Sequence, residues 1–145
     1  MADIERTGEA VWRGDLKSGD GVVSTESGVI EEASYTFKTR FGGAQGTNPE
    51  ELIAAAHAAC YSMAFAHTLS EEGHKPERIS TKATCSLVPT SGGFAITRMH
   101  LRVRGKVPGI DEASFARIAE EADKGCPVSN LLRHGLEIQR EVSLE

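Results

Sequence analysis

The sequence predicts an α+β fold. Its strand signals come in neighbouring groups rather than alternating with helices. It has one long helix signal that is apolar almost all round, and two shorter helix signals that fall together near the C-terminus. The resulting order is βββ–α–ββ–αα–β. With 145 residues, 39% hydrophobic and 26% charged, the chain is expected to form one domain over residues 1–145 with a buried core.

Each element has its own signal. Residues 7–14 read as a strand, Gly19-Asp20-Gly21 as a turn and residues 22–25 as a second strand, so the chain should open with a hairpin. Tyr35, Thr36, Phe37 and Lys38 alternate apolar with polar, as a third strand would, and Arg40 would close it. Residues 41–47 hold three glycines and should be a loop. Asn48 is a natural N-cap, Pro49 suits the first helical position and Glu51 falls three after the cap. This helix should run to about residue 72 and stop at Gly73. Two long strands are expected over residues 78–88 and 93–107, joined by Thr90-Ser91-Gly92. A helix with a polar face should cover residues 111–124, and a short one should begin at Cys126. A last strand is expected over residues 136–142, with Leu136, Ile138, Val142 and Leu144 apolar.

The net charge of −5 argues against nucleic acid and anionic membranes as partners. The first six residues form no apolar run, so no secretory signal is expected. A cytoplasmic protein follows, in which three cysteines are inert or reactive rather than a disulfide framework.

Residues 52–69 of the long helix carry no charge apart from any protonated histidine. A helix apolar on all sides is buried on all sides or spans a membrane. A span needs roughly 20 apolar residues. This run is shorter, rich in alanine and carries His57 and His67, which favours burial. One small subunit would struggle to cover every face of such a helix. An obligate homodimer with two of these helices at its centre is therefore expected.

Cys60 lies in the middle of that helix. Most buried cysteines are small core hydrophobes. A reactive Cys60 needs a group that favours its thiolate. Arg40 is a candidate, with Arg13 as a rival, and Glu50 is placed to hold Arg40 by a two-pronged ion pair. Glu50 and Cys60 are ten residues apart on one helix, about 15 Å along its axis. They share a site only if Glu50 reaches Cys60 of a second subunit. Cys126 sits at a helix start, where backbone N–H groups favour a thiolate. Cys126 is either a fortuitous N-cap cysteine, or Cys126-Pro127-Val128-Ser129 resembles a redox Cys-x-x-Cys with serine in the second place; in the latter case its partner must come from elsewhere, and Cys60 is the obvious choice. Cys85, in a strand pattern, reads as structural. His57, three residues before Cys60, could meet it as a base or as a fellow metal ligand. No further ligands stand at a metal-site spacing, so no metal is expected. His67, His74, His100 and His134 read as surface or packing residues. Tyr35, Phe37, Phe41, Tyr61 and Phe65 could line an apolar pocket or simply pack a core.

Specific strings carry a family resemblance. Thr39-Arg40-Phe41, the run from Gly46-Thr47-Asn48-Pro49-Glu50-Glu51 to His57-Ala58-Ala59-Cys60-Tyr61-Ser62-Met63, and Gly125-Cys126-Pro127-Val128-Ser129 closely resemble the OsmC/Ohr family of thiol peroxidases. Ser24 to Val29, Gly93 to Thr97 and Val107 to Asp111 resemble it too, so the likeness covers nearly the whole chain. It looks like the OsmC (osmotically inducible) branch. In the organic hydroperoxide resistance branch the arginine comes from an earlier loop, near Arg13 here. The resemblance implies an OsmC-like intertwined homodimer, with antiparallel sheets wrapped around two long central helices. It implies a peroxidatic Cys60, a resolving Cys126, and Arg40 with Glu50 activating the thiolate from the other subunit. The implied reaction is reduction of hydroperoxides, organic ones preferred over hydrogen peroxide, in stress defence. No cofactor is implied. The reductant would be an external dithiol protein, or a dihydrolipoyl group on a carrier as in the related branch. The competing classes are a non-enzymatic stress-related binding protein and a Cys–His hydrolase using His57.

Overall fold

A computed structural model describes residues 2–145. The chain forms two compact units, Met1–Ile53 with Leu87–Ala95 and Ala54–Ser86 with Ile96–Glu145.

The first unit holds an antiparallel sheet of β1 (Gly8–Arg13), β2 (Asp20–Thr25) and β3 (Ala33–Tyr35), in that order. Gly21 pairs with Trp12 on one side and Tyr35 on the other. The two rings meet with centroids 5.4 Å apart. A side chain at Gly21 would lie 2.7 Å from the Tyr35 ring and from the Val11 carbonyl, so glycine leaves the room they need.

The third strand stops at Tyr35, and residues expected to extend it form a short helix, α1 (Phe37–Phe41). Thr36 decides this. Its hydroxyl accepts the Thr39 N–H at 3.2 Å, and the Thr39 hydroxyl accepts the Thr36 N–H at 2.8 Å. This reciprocal cap starts a helix where alternation alone reads as a strand. The turn brings Phe37 and Phe41 ring to ring at 4.7 Å, and Phe94 packs on Phe41 at 4.7 Å. Arg40 therefore projects from a helix, not from a strand end.

The long helix α2 (Pro49–Glu71) starts as its sequence predicts. Asn48 Oδ1 accepts the Glu51 N–H at 2.8 Å. Gly73, at φ 86°, takes the left-handed conformation that ends it, and the His74 N–H returns to the Leu69 carbonyl at 2.8 Å.

In the second unit His57, Tyr61, Phe65 and Leu69 are buried. Four residues apart, they form one row along α2. Tyr61, Phe65 and Leu69 pack with Ile118 and Ala122 of α3 (Glu112–Gly125) and with Cys126, which caps α4 (Pro127–His134). Ile79 of β4 (Arg78–Thr90) and Leu101 and Val103 of β5 (Gly93–Lys106) pack against this core; the two strands form a sheet of their own. Phe65 is fully buried and stacks near Phe115 at 4.9 Å. Phe65→Ala is expected to lower unfolding free energy by about 3–5 kcal/mol, read from the denaturant midpoint. A loss below ~1 kcal/mol would mean this row is not the core.

One expectation fails within one chain. Residues 136–145 form no strand, although Leu136, Ile138, Val142 and Leu144 keep the spacing of two. The described sheets are β1–β2–β3 and β4–β5, and the segment pairs with neither. These four side chains are 66–100% exposed. As expected for one small subunit, α2 is not covered all round: Ala55, Ala56, Ala59, Met63, His67 and Ser70 form an exposed stripe. Among the described residues α2 alone is long and apolar enough to cross a membrane by length and composition.

Candidate active site

The second unit brings Cys60 and Cys126 together. Their sulfurs lie 3.5 Å apart, one in mid-α2 and the other capping α4. A disulfide needs about 2 Å, so a small movement of the two side chains joins them. Cys126 is fully buried and Cys60 is partly exposed. Cys126 Sγ accepts the Ser129 N–H at 3.5 Å, and Pro127 at the first helical position leaves the next N–H groups facing the sulfurs.

The two thiols differ in acidity. Burial pushes Cys60 up; a hydrogen bond from the Val128 N–H opposes this, and the contact with Cys126 adds to it. Burial also acts to raise Cys126, but hydrogen bonds from the Ser129 hydroxyl and N–H, and from Cys60, outweigh it and leave Cys126 lowered. Within this unit Cys126 is therefore the more acidic of the two thiols.

His57 does not pair with Cys60. Its Nε2 is 2.8 Å from Ser129 Oγ, and its Nδ1 is buried without a hydrogen-bond partner. Burial is the main cause that lowers its pKa; Asp123 opposes the shift and Arg133 adds to it. The unfolded chain therefore takes up this proton first as pH falls. The stability tied to neutral His57 is complete above about pH 6.5 and is lost as pH falls through that value toward the folded one. His57→Gln should flatten the fall in denaturant midpoint between about pH 7.5 and pH 5.5. An unchanged fall would show that His57 does not carry it.

The first unit brings Arg40 and Glu50 together. Arg40 Nη2 lies 2.7 Å from Glu50 Oε1, and Arg40 Nε lies 3.1 and 3.3 Å from the two oxygens. The Glu50 side chain is 10% exposed and that of Arg40 37%. Glu50 thus holds one edge of the guanidinium from the first turn of α2 and leaves Nη1 outside the fork. Arg40 also borders a cleft of about 460 Å³ whose walls include Trp12, Leu16, Tyr35, Phe37 and Phe41. A charge at an apolar mouth suits a ligand with a polar head and a greasy tail. Arg13, the alternative to Arg40, is exposed and pairs with Asp20 at 3.7 Å.

Residues 42–141 match the family model described as OsmC-like protein. The chain belongs to this family. It is 52% identical to Peroxiredoxin OsmC of Escherichia coli (strain K12) over 130 residues, 90% of this chain and 91% of that protein. It is 30% identical to an organic hydroperoxide resistance protein of Xanthomonas axonopodis pv. citri over 117 residues, 80% of each. These values agree with the OsmC branch read from the sequence. The organic hydroperoxide resistance protein of Elizabethkingia anophelis superposes with a TM-score of 0.69 at 26% identity, covering 94% of each chain. OhrB of Bacillus subtilis shares the OsmC-like fold at a TM-score of 0.65, with 24% identity over 88% of this chain and 91% of that one.

Among the described residues no group of three or more His, Cys, Asp or Glu is placed to hold a metal. Cys85 stands in β4. The sequence reading missed the link between His57 and Ser129. Its only signal was the serine that stands where a Cys-x-x-Cys would place its second thiol.

Proposed function

We propose that this protein is a thiol-dependent peroxidase of stress defence that reduces organic hydroperoxides, and hydrogen peroxide more weakly, in a reducing cytoplasm. The observation that carries the reading is the 3.5 Å approach of Cys60 and Cys126 Sγ. The names of the relatives support the same chemistry.

The Cys60 thiolate attacks the distal peroxide oxygen. The O–O bond breaks, and an alkoxide leaves and takes a proton to become an alcohol. Cys60 becomes a sulfenic acid. The Cys126 thiolate attacks that sulfur, the S–O bond breaks, hydroxide leaves and takes a proton to become water, and the Cys60–Cys126 disulfide forms. An external dithiol, such as a dihydrolipoyl group or a small redox protein, restores both thiols by exchange and becomes the disulfide itself.

The first step needs Cys60 as the anion, whereas the groups around it within the second unit favour Cys126. A cation has to reverse that order. We assign this role to Arg40 of a second subunit, held by its own Glu50, in a homodimer. The fork leaves Nη1 for the thiolate and for the charge that develops on the peroxide oxygens. The cleft beside Arg40 would take the hydrocarbon tail. The exposed stripe of α2 and the unpaired segment 136–145 support the dimer, since each is an apolar surface built to be covered. A second α2 would cover the stripe, and a strand edge of the other subunit would take the segment.

The test is steady-state turnover of tert-butyl, lipid and hydrogen peroxides with dihydrolipoamide and with thioredoxin. The expected result is faster turnover of the organic substrates and a Cys60–Cys126 disulfide after one equivalent of peroxide. Absence of turnover with every pair, together with absence of that disulfide, would overturn the reading in favour of a non-enzymatic binding protein.

A further inference from the structure

His57 and Ser129 are buried at 5% and 4% exposure, and the steps above use neither. They come from α2 and α4 and meet at 2.8 Å. Because His57 Nδ1 is buried without a partner, a neutral ring keeps its proton on Nε2, where an acceptor stands. Nε2 then donates to Ser129 Oγ. The hydroxyl proton of Ser129 is left to turn to the sulfur that the Ser129 N–H already faces at 3.5 Å. The chain of donors is His57 Nε2–H, then Ser129 Oγ–H, then Cys126 Sγ.

We propose that His57 and Ser129 are positioning residues for the reductive half of the cycle, orienting two Ser129 donors on Cys126 Sγ so that this sulfur departs when a dithiol opens the Cys60–Cys126 disulfide. This rests on the peroxidase reading above. In a thiol–disulfide exchange the better-stabilised thiolate leaves faster. The attacking thiolate forms its bond to Cys60 Sγ, the S–S bond breaks, and the electron pair leaves on Cys126. The second thiol of the dithiol then displaces Cys60 as a thiolate, and the dithiol ends as a disulfide. Access favours the same direction, since the Cys126 residue is 0% exposed while Cys60 is partly exposed.

The surroundings leave these donors as the main local support for the anion. Cys60 and Tyr61 on α2, Asp123 on α3 and Arg133 on α4 are the titratable and charged groups that act on the cluster. Arg133 and Asp123 are bonded to each other at 2.6 Å, so their fields largely cancel. Burial pushes Tyr61 up to about 12, so it stays neutral, and its hydroxyl donates to the Ala119 carbonyl at 2.7 Å. The strands add Ile79, Leu101 and Val103, which carry no charge.

The test follows alkylation of Cys126 against pH in full-length Cys60→Ser protein, with Ser129→Ala, Ser129→Thr, His57→Leu and His57→Gln added singly. Ser129→Ala and His57→Leu are expected to move the midpoint up by about one pH unit, as loss of a hydrogen bond to a charged group does. Ser129→Thr keeps the hydroxyl and His57→Gln keeps a donor near the Nε2 position, so both should hold the midpoint. With Cys60 present, Ser129→Ala should slow reduction of the preformed disulfide by dihydrolipoamide more than it slows oxidation by peroxide. Unchanged midpoints in Ser129→Ala and His57→Leu would overturn the inference, as would equal slowing of both half-reactions. If Ser129→Ala does not fold, the His57→Leu and His57→Gln pair decides alone. If no Cys60–Cys126 disulfide ever forms, the peroxidase reading fails, while the alkylation midpoints still judge the donor chain.

Discussion

Cys60→Ser is expected to lower peroxide turnover on the order of a thousandfold or more, while Cys126→Ser should leave the first turnover intact and abolish the rest. The contrast follows from the role proposed for each sulfur. In that cycle only Cys60 meets the peroxide, so its loss removes the nucleophile. Cys126 acts after the O–O bond has broken, so its loss strands Cys60 as a sulfenic acid. A second peroxide then carries that sulfur to the sulfinic acid, which a dithiol does not reverse. Rapid-mix kinetics should therefore show one equivalent of alcohol per subunit for Cys126→Ser, and intact mass should rise by about 32 Da as excess peroxide is added. Steady turnover by Cys126→Ser without that mass would sink the two-cysteine scheme. Serine rather than alanine is the right replacement at Cys126. Its oxygen can still cap α4 by accepting the Ser129 N–H that now points at the sulfur.

The parts legible in the sequence are those decided locally. The cap Asn48, the stop Gly73 and the cysteine that begins α4 are set by neighbours a few residues away, and each stands where its residues place it. The third strand was misread for a local reason too. Tyr35 to Lys38 satisfies a spacing of two, but Phe37 and Phe41 also satisfy a spacing of four, and only the paired Thr36 and Thr39 hydroxyls break the tie. The C-terminal strand does not form within one chain, because a strand is not a local object. Leu136, Ile138, Val142 and Leu144 alternate correctly, yet alternation supplies no hydrogen-bond partner. The bond from His57 to Ser129 spans 72 residues, and no spacing rule reaches that far. The Cys60–Cys126 contact spans 66 and was legible only because the chemistry of each thiol called for a second.

Subunits that are individually dead should complement one another. Arg40→Ala removes the cation proposed to act on the partner's sulfur, and a loss of about 10²–10³ in kcat/KM is expected, as for removal of one charge-stabilising donor. Glu50→Gln keeps the shape but weakens the fork, so a smaller loss is expected. Arg40→Ala and Cys60→Ser chains, mixed under conditions that exchange subunits, give heterodimers with one damaged and one intact site. The intact site joins Cys60 of the Arg40→Ala chain to Arg40 of the Cys60→Ser chain. Random reassortment of a two-fold dimer restores about a quarter of the wild-type sites. A double variant carrying both changes in one chain, mixed with wild type, gives heterodimers without an intact site and so serves as the control. If the site instead formed within one chain, the mixture of single variants would stay inactive however long it was exchanged, because every chain would lack one half of its own machinery. The measurement thus separates a shared site from a self-contained one by the rise of activity with exchange, which neither altered folding nor a change in peroxide affinity can imitate.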